Sequence, residues 1–345
     1  MYKKILFPIL LFSAFLLGCA QRNTEGSAKN LKLGIESQNA GKLDEALNHY
    51  NTAISLDKKN STAWYHRGVL YVSKNEFEKG IQDLSEAIDI SPDSARFYDA
   101  RGYIYITQND YGKAMDDYET AVVKDPSNAV YVNRRGYVYA LLKDYTTAIK
   151  DYTKAIELNP KFEDAYSNRG FSYLSLNRFE NVVSDFTKAI ELNPDRAVYY
   201  NTRGYAYANM KRLFDALPDY DMAISLDSNF ADAYINRGYL FMNTEQYPFA
   251  LQDFDKAIKL GAQNAANYNA RGFAFANVRN YPQAIIDYTK AIELDPALTD
   301  AYVNRGFSYF NSLDKPNALK DWQTAVSQKP SLDSSLKSYM DKAAK

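Results

Sequence analysis

Imidazole and thiol chemistry in this 345-residue chain is confined to His49, His66 and Cys19. Three such groups cannot build a Cys/His zinc site, and a lone cysteine cannot close an internal disulfide. Neither histidine stands in a serine–aspartate setting that would activate a nucleophile. Acid–base work would fall to the carboxylates, but nearly all of these recur at a fixed spacing, which marks them as solvated or structural. Catalysis is therefore not expected, and no cofactor or metal is implied. Binding chemistry is better supplied. Aromatic residues stand 34 apart at Tyr103, Tyr137, Phe171, Tyr205, Tyr239, Phe273 and Phe307, and the last four are each followed four residues on by an amide, Asn209, Asn243, Asn277 or Asn311. Rings can take apolar side chains or stack on sugars, while an amide can both donate to and accept from a peptide backbone. With 41 basic against 42 acidic residues, the chain lacks the basic excess needed to follow phosphates, so nucleic acid is excluded.

A repeat must position these residues. Glycines recur from Gly34 through Gly68, Gly102 and onward to Gly306, always 34 apart, with no insertion or deletion. With glycine as position eight, the copies are 27–60, 61–94, 95–128, 129–162, 163–196, 197–230, 231–264, 265–298 and 299–332. Position 27 is alanine in every copy, from Ala53 to Ala325. Position 20 is alanine except at Gly80 and Val182, and position 24 is aromatic except at Leu84. Proline closes six copies, as at Pro92 and Pro330. The pattern resembles the tetratricopeptide repeat, a helix–turn–helix of 34 residues. That resemblance implies an all-α fold, a right-handed superhelical solenoid of nine repeats, with a capping helix at 333–345 led by Leu336, Tyr339 and Met340. A length prior of two globular domains fails.

Within each copy, aromatics at positions four and eleven (Trp64/Tyr71, Tyr200/Tyr207) flank the glycine and are expected to form the buried stripe of helix A. Asn75, Asn109 and Asn177 fall between the helices, where a left-handed residue ends a helix. Pro218 lies deep in a helix B and is expected to kink it. Position seven, normally leucine in this family, is arginine in eight copies (Arg67, Arg101, Arg135, Arg169, Arg203, Arg237, Arg271, Arg305). The same copies carry aspartate at position 23 (Asp83, Asp117, Asp151, Asp185, Asp219, Asp253, Asp287, Asp321), and the first copy lacks both. Joint presence and joint absence point to an ion pair between helix A and helix B, within or between repeats. An anion-binding ladder is the functional alternative.

The chain opens with Lys3 and Lys4, then an apolar run from Ile5 to Leu17, too short to span a bilayer and suited to a secretory signal. It ends in Leu16-Leu17-Gly18-Cys19, which resembles the bacterial lipobox. The resemblance implies a signal peptide at 1–18 and palmitate-type acylation of Cys19. A polar tether is expected at Ala20–Gly26, giving 19–26 as lipidated cysteine and linker. By bacterial sorting rules, the absence of aspartate after the cysteine favours an outer membrane of the cell envelope.

Positions nine, twelve and thirteen face the inner groove in this family. The resemblance thus implies a membrane-anchored interaction scaffold gripping an extended peptide or partner protein. The alternative is a glycan or cell-wall binding module using the same rings. The lysine–asparagine clamp of chaperone-binding relatives is absent: positions five and nine hold Asp99/Tyr103, Ser167/Phe171 or Asn201/Tyr205.

Overall fold

A computed structural model describes residues 6–344, with side chains from Asn23 onward, and among these it contains 19 α-helices, one short 3-10 turn and no strand. Helices pair in succession: α1 (Leu6–Asn39) with α2 (Leu43–Leu56), then eight further pairs of the same design, the last being α17 (Thr299–Asn311) with α18 (Lys315–Gln328). The C-terminal α19 (Asp333–Ala343) follows. The chain divides into two compact units between Ser172 and Tyr173, inside α9 (Glu163–Ser175).

The turn inside each repeat is made by one left-handed residue. Asn75, Asn109 and Asn177 hold φ of 59°, 59° and 54°, as their type suggests. Lys143, Lys211, Glu245, Arg279 and Leu313 adopt the same conformation without that preference, at a cost of about 1–2 kcal/mol each. The return is a closed helix end: the next N–H donates back to the carbonyl of position eleven, as Arg212 does to Tyr207 at 2.9 Å. Helix B then starts on a capping side chain where one is present, Asp144 accepting from the Thr147 amide at 3.0 Å.

Packing follows size complementarity. Every position-27 alanine is fully buried, as are the position-24 side chains Tyr50, Phe186, Phe254 and Trp322. Glycine at position eight makes room for that ring: a Cβ on Gly204 would lie 2.9 Å from Tyr220 Cε1. The helix-A core is not the aromatic stripe expected from the sequence. Positions three and ten are the buried ones, as at Ala63/Leu70, Phe97/Ile104 and Ala233/Leu240. Most rings at positions four and eleven are half-buried instead, for a reason that appears below.

One further expectation is corrected. The Ala20–Gly26 stretch lies within α1, which is helical from Leu6 to Asn39. Gly26 is the residue there that most disfavours helix, and one glycine costs about 1 kcal/mol. A flexible tether is therefore not what the chain forms there. Pro218 sits inside α12 (Leu213–Leu226), deep in a helix B. Residues 1–5 of the expected signal peptide at 1–18, and the Cys19 side chain, lie outside the described residues. Among the described residues, no helix is long and apolar enough to cross a membrane.

Candidate functional site

The arginines of position seven are structural. Seven pairs are described, all within one repeat, and each is a two-pronged fork. Arg203 Nε and Nη2 donate to Asp219 Oδ2 and Oδ1 at 2.9 and 2.7 Å, and Arg305 matches this on Asp321 at 2.7 and 2.8 Å. Nη1 reaches the helix B of the preceding repeat, to Ser85 from Arg101, Thr187 from Arg203 and Asp221 from Arg237. The rings of positions four and eleven lie against the guanidinium, with Tyr234 and Phe241 centred 5.7 and 5.8 Å from Arg237. Those rings are half-buried because they sheathe a cation rather than fill the core. The hydrogen bonds that Arg203 donates to Asp219 hold it above its ordinary pKa against the opposing effect of burial. Each of these seven arginines commits two N–H groups to its own aspartate, which fits a structural role better than an anion-binding one.

What remains open is the groove face of helix A. Tyr103, Tyr137, Phe171, Tyr205, Tyr239 and Phe273 are between 37% and 49% exposed, large for aromatic residues in a packed array. They are neither core nor free. Tyr239, for example, meets Phe254 edge-on at 5.2 Å while its other side stays open. Burial raises the Tyr239 hydroxyl above its usual pKa. Phe307 is different: α19 covers it, Tyr339 lying 5.0 Å from its ring centre. It belongs to the C-terminal core cluster.

The amides of position thirteen divide. Asn209 and Asn277 donate back to the carbonyls of Tyr205 and Phe273 at 2.9 Å, which ends the helix and leaves each side-chain oxygen unbonded within the protein. The side chains of Asn243 and Asn311 are exposed and make no hydrogen bond among the described residues.

Two clefts share Tyr205 in the second unit, between α11 (Ala197–Asn209) and α13 (Ala231–Asn243). One, of about 320 Å³, is lined by Leu174, Asn177, Asn201, Thr202, Tyr205, Asp232, Ile235 and Asn236. The other, of about 220 Å³, adds Asn209, Lys211, Tyr239 and Asn243. Asn236 donates to Asn201 Oδ1 at 3.0 Å, joining the two A helices. The same bond joins Asn168 to Asn133 and Asn304 to Asn269. These six amides at positions five and six were missed by reasoning from the sequence. Their signal was present at a longer period: Asp-Ala-Tyr-X-Asn-Arg-Gly recurs at 164–170, 232–238 and 300–306, every second repeat.

The first unit has its own groove cleft, of about 270 Å³, lined by Tyr65, Val69, Asp99, Tyr103 and Arg134 among others. Arg134 donates to Asp99 at 2.5 Å. Burial raises the Asp99 carboxyl above its usual range, and Arg134 opposes it. His66 serves packing: it stacks on Tyr50 at 5.9 Å, and burial lowers its pKa, while His49 shares a hydrogen bond with Asn30 at 3.3 Å. Among the described residues, no three His, Cys, Asp or Glu side chains gather to hold a metal ion.

Comparison with known proteins agrees with this architecture. Models described as tetratricopeptide repeat or TPR repeat match residues 39–72 and 136–177, 163–196, and 61–94, 95–127 and 265–298. Together they cover just over half of the chain. Tetratricopeptide repeat protein 14 of Mus musculus is 33% identical over 63 residues, 18% of this chain and 8% of its own. The chain spans about a tenth of the length of the curated relatives it matches. Among solved structures, the APC/C hetero-tetramer Cut9-Hcn1 superposes with a TM-score of 0.54 at 14% identity, over 92% of this chain and 76% of that one. A tetratricopeptide repeat protein from Parabacteroides merdae gives 0.53 at 18% identity, over 73% and 99%. On its matched stretches and its paired helices, this chain belongs to the tetratricopeptide-repeat family.

Proposed function

We propose that the groove of this repeat protein grips an extended polypeptide, and that the chain serves as a lipid-anchored adaptor in a bacterial envelope. One observation carries the groove reading: six aromatic rings, three in each unit and each at position nine of its own helix A, keep more than a third of their surface in water. Leaving so much ring surface exposed is worthwhile where a partner covers it. The amides beside them favour a peptide, since Asn243, Asn311 and the free halves of the other asparagines can both donate and accept along a backbone.

Changing Tyr205, Tyr239 and Phe273 together to alanine is expected to weaken partner binding about tenfold or more, because aromatic anchors dominate such interfaces. Each ring is only partly buried, so the stability lost should be about 1 kcal/mol per ring. Tyr220→Ala, in the full core, should cost about 3–5 kcal/mol. Binding and urea denaturation on the same samples separate the two. A triple variant as unstable as the core variant would remove the rings from the site. Peptide and glycan arrays probed side by side test the polymer class.

The anchor reading rests on the Leu16–Cys19 motif behind an apolar run. Cys19→Ala is expected to move the protein out of the membrane fraction and to abolish acyl labelling. Labelling that survives the substitution would refute the anchor and leave the groove untouched.

A further inference from the structure

The repeats are not chemically equal along the groove. Odd copies from the fifth onward carry aspartate at position two (Asp164, Asp232, Asp300) and asparagine at position six (Asn168, Asn236, Asn304). The even copies before them carry Val130, Val198 and Ala266 at position two and Asn133, Asn201 and Asn269 at position five. The hydrogen-bonded amides pair each even copy with the odd copy that follows it. Register between A helices accounts for those amides. It does not account for the aspartates, whose carboxylates are exposed and make no ion pair or hydrogen bond within the protein. A favourable interaction with the helix N-terminus would apply to every A helix alike, yet the alternate helices place valine or alanine there.

Asp232 shows what the arrangement offers. It is the one charged group lining the 320 Å³ cleft, where it faces the Tyr205 ring, the Asn201–Asn236 pair and the apolar Leu174 and Ile235. The position-seven arginines cannot neutralise it, since Arg203 and Arg237 are committed to Asp219 and Asp253. A cleft with one uncompensated carboxylate, one exposed ring and amide oxygens is complementary to a cation on an aliphatic stem. The geometry points to a groove that selects polypeptides bearing lysine or arginine, with Asp232 and Asp300 each receiving one basic side chain beside the rings of Tyr205 and Phe273. Asp164, with Asn133, Asn168 and Tyr137, provides the same set in the first unit. This selectivity rests on the groove being a peptide site.

The test uses the full chain and arrayed extended peptides in an Ala/Ser/Thr/Leu background carrying one or two Lys, Arg, norleucine or Glu residues. Lys and Arg peptides are expected to bind about three- to tenfold more tightly than their norleucine counterparts, the range expected for exposed ion pairs and cation–π contacts. Added salt should shrink the difference. Asp164→Asn, Asp232→Asn and Asp300→Asn together should erase it while norleucine peptides bind as before. Peptides that bind without preference for cations, or a preference that survives the triple variant, would overturn the selectivity and leave the peptide groove standing. Retention of no peptide of any kind would overturn the groove reading and this inference with it.

Discussion

Replacing Arg203 with leucine is expected to cost its repeat about 3–5 kcal/mol, because the Asp219 carboxylate is then left buried without its partner. The Asp219 side chain is 7% exposed and receives both prongs of the guanidinium. Leucine restores neither bond, and Thr187 loses its donor as well. Adding Asp219→Leu should recover most of the loss, since two apolar groups of similar volume remove two desolvated charges together. A coupling of about 2 kcal/mol or more in this double-mutant cycle is therefore expected, and strictly additive losses would dismiss the pair as a stabilising unit. The readout matters. A repeat array does not unfold as one two-state body, so amide exchange over α11 and α12 reports the effect better than a single melt. Arg203→Lys is the sharper control: charge is kept and the fork is lost, so stability should fall even though the ion pair remains possible.

That pair was legible in the sequence because both members vanish together in the first repeat, where Leu33 and His49 stand instead. Whether it closed within a repeat or between repeats was not legible, since 16 residues forward and 18 back suit a periodic chain equally. The third contact was hidden for another reason. Its acceptors, Asn51, Ser85, Thr153 and Asp221, share only an oxygen and no residue type. The buried stripe of helix A was misread because ring size drew attention to positions four and eleven. Positions three and ten do the burying, and several copies place only a small residue at position three, as at Ala63, Ala165 and Ala301. The groove rings were found because one position repeats one chemical type. The amides at positions five and six alternate every 68 residues, and a search at one period averages them away. Left-handed turns at Lys211 and Leu313 carry no local signal, because the packed helices on either side impose a conformation these residues do not prefer.

Trp322→Ala is expected to cost about 3–5 kcal/mol and to release α19 from the end of the array. Trp322 is fully buried. Its Nε1 donates to the Val303 carbonyl at 3.3 Å, and Gly306 lacks the Cβ that would overlap its indole. Phe307, Phe310 and Tyr339 surround it with ring centres 5.2, 5.6 and 5.9 Å away. Truncation removes the largest side chain of a cluster whose other members arrive from three different helices, so the cavity cannot close by one small shift. The last helix suffers most because it has a neighbour on one side only. Amides of residues 333–343 should then exchange nearly as fast as an unfolded tail, while those of α11 through α13 keep their protection. Trp322→Phe should cost far less, since Phe186 and Phe254 fill the equivalent place in other repeats. The alanine variant also uncovers Phe307, which α19 otherwise holds against Tyr339. An added aromatic at the end of the ladder should raise affinity for groove-binding peptides slightly, or leave it unchanged if the ladder ends at Phe273. Uniform loss of protection along the whole chain would instead mean that Trp322 holds more than the repeat it caps.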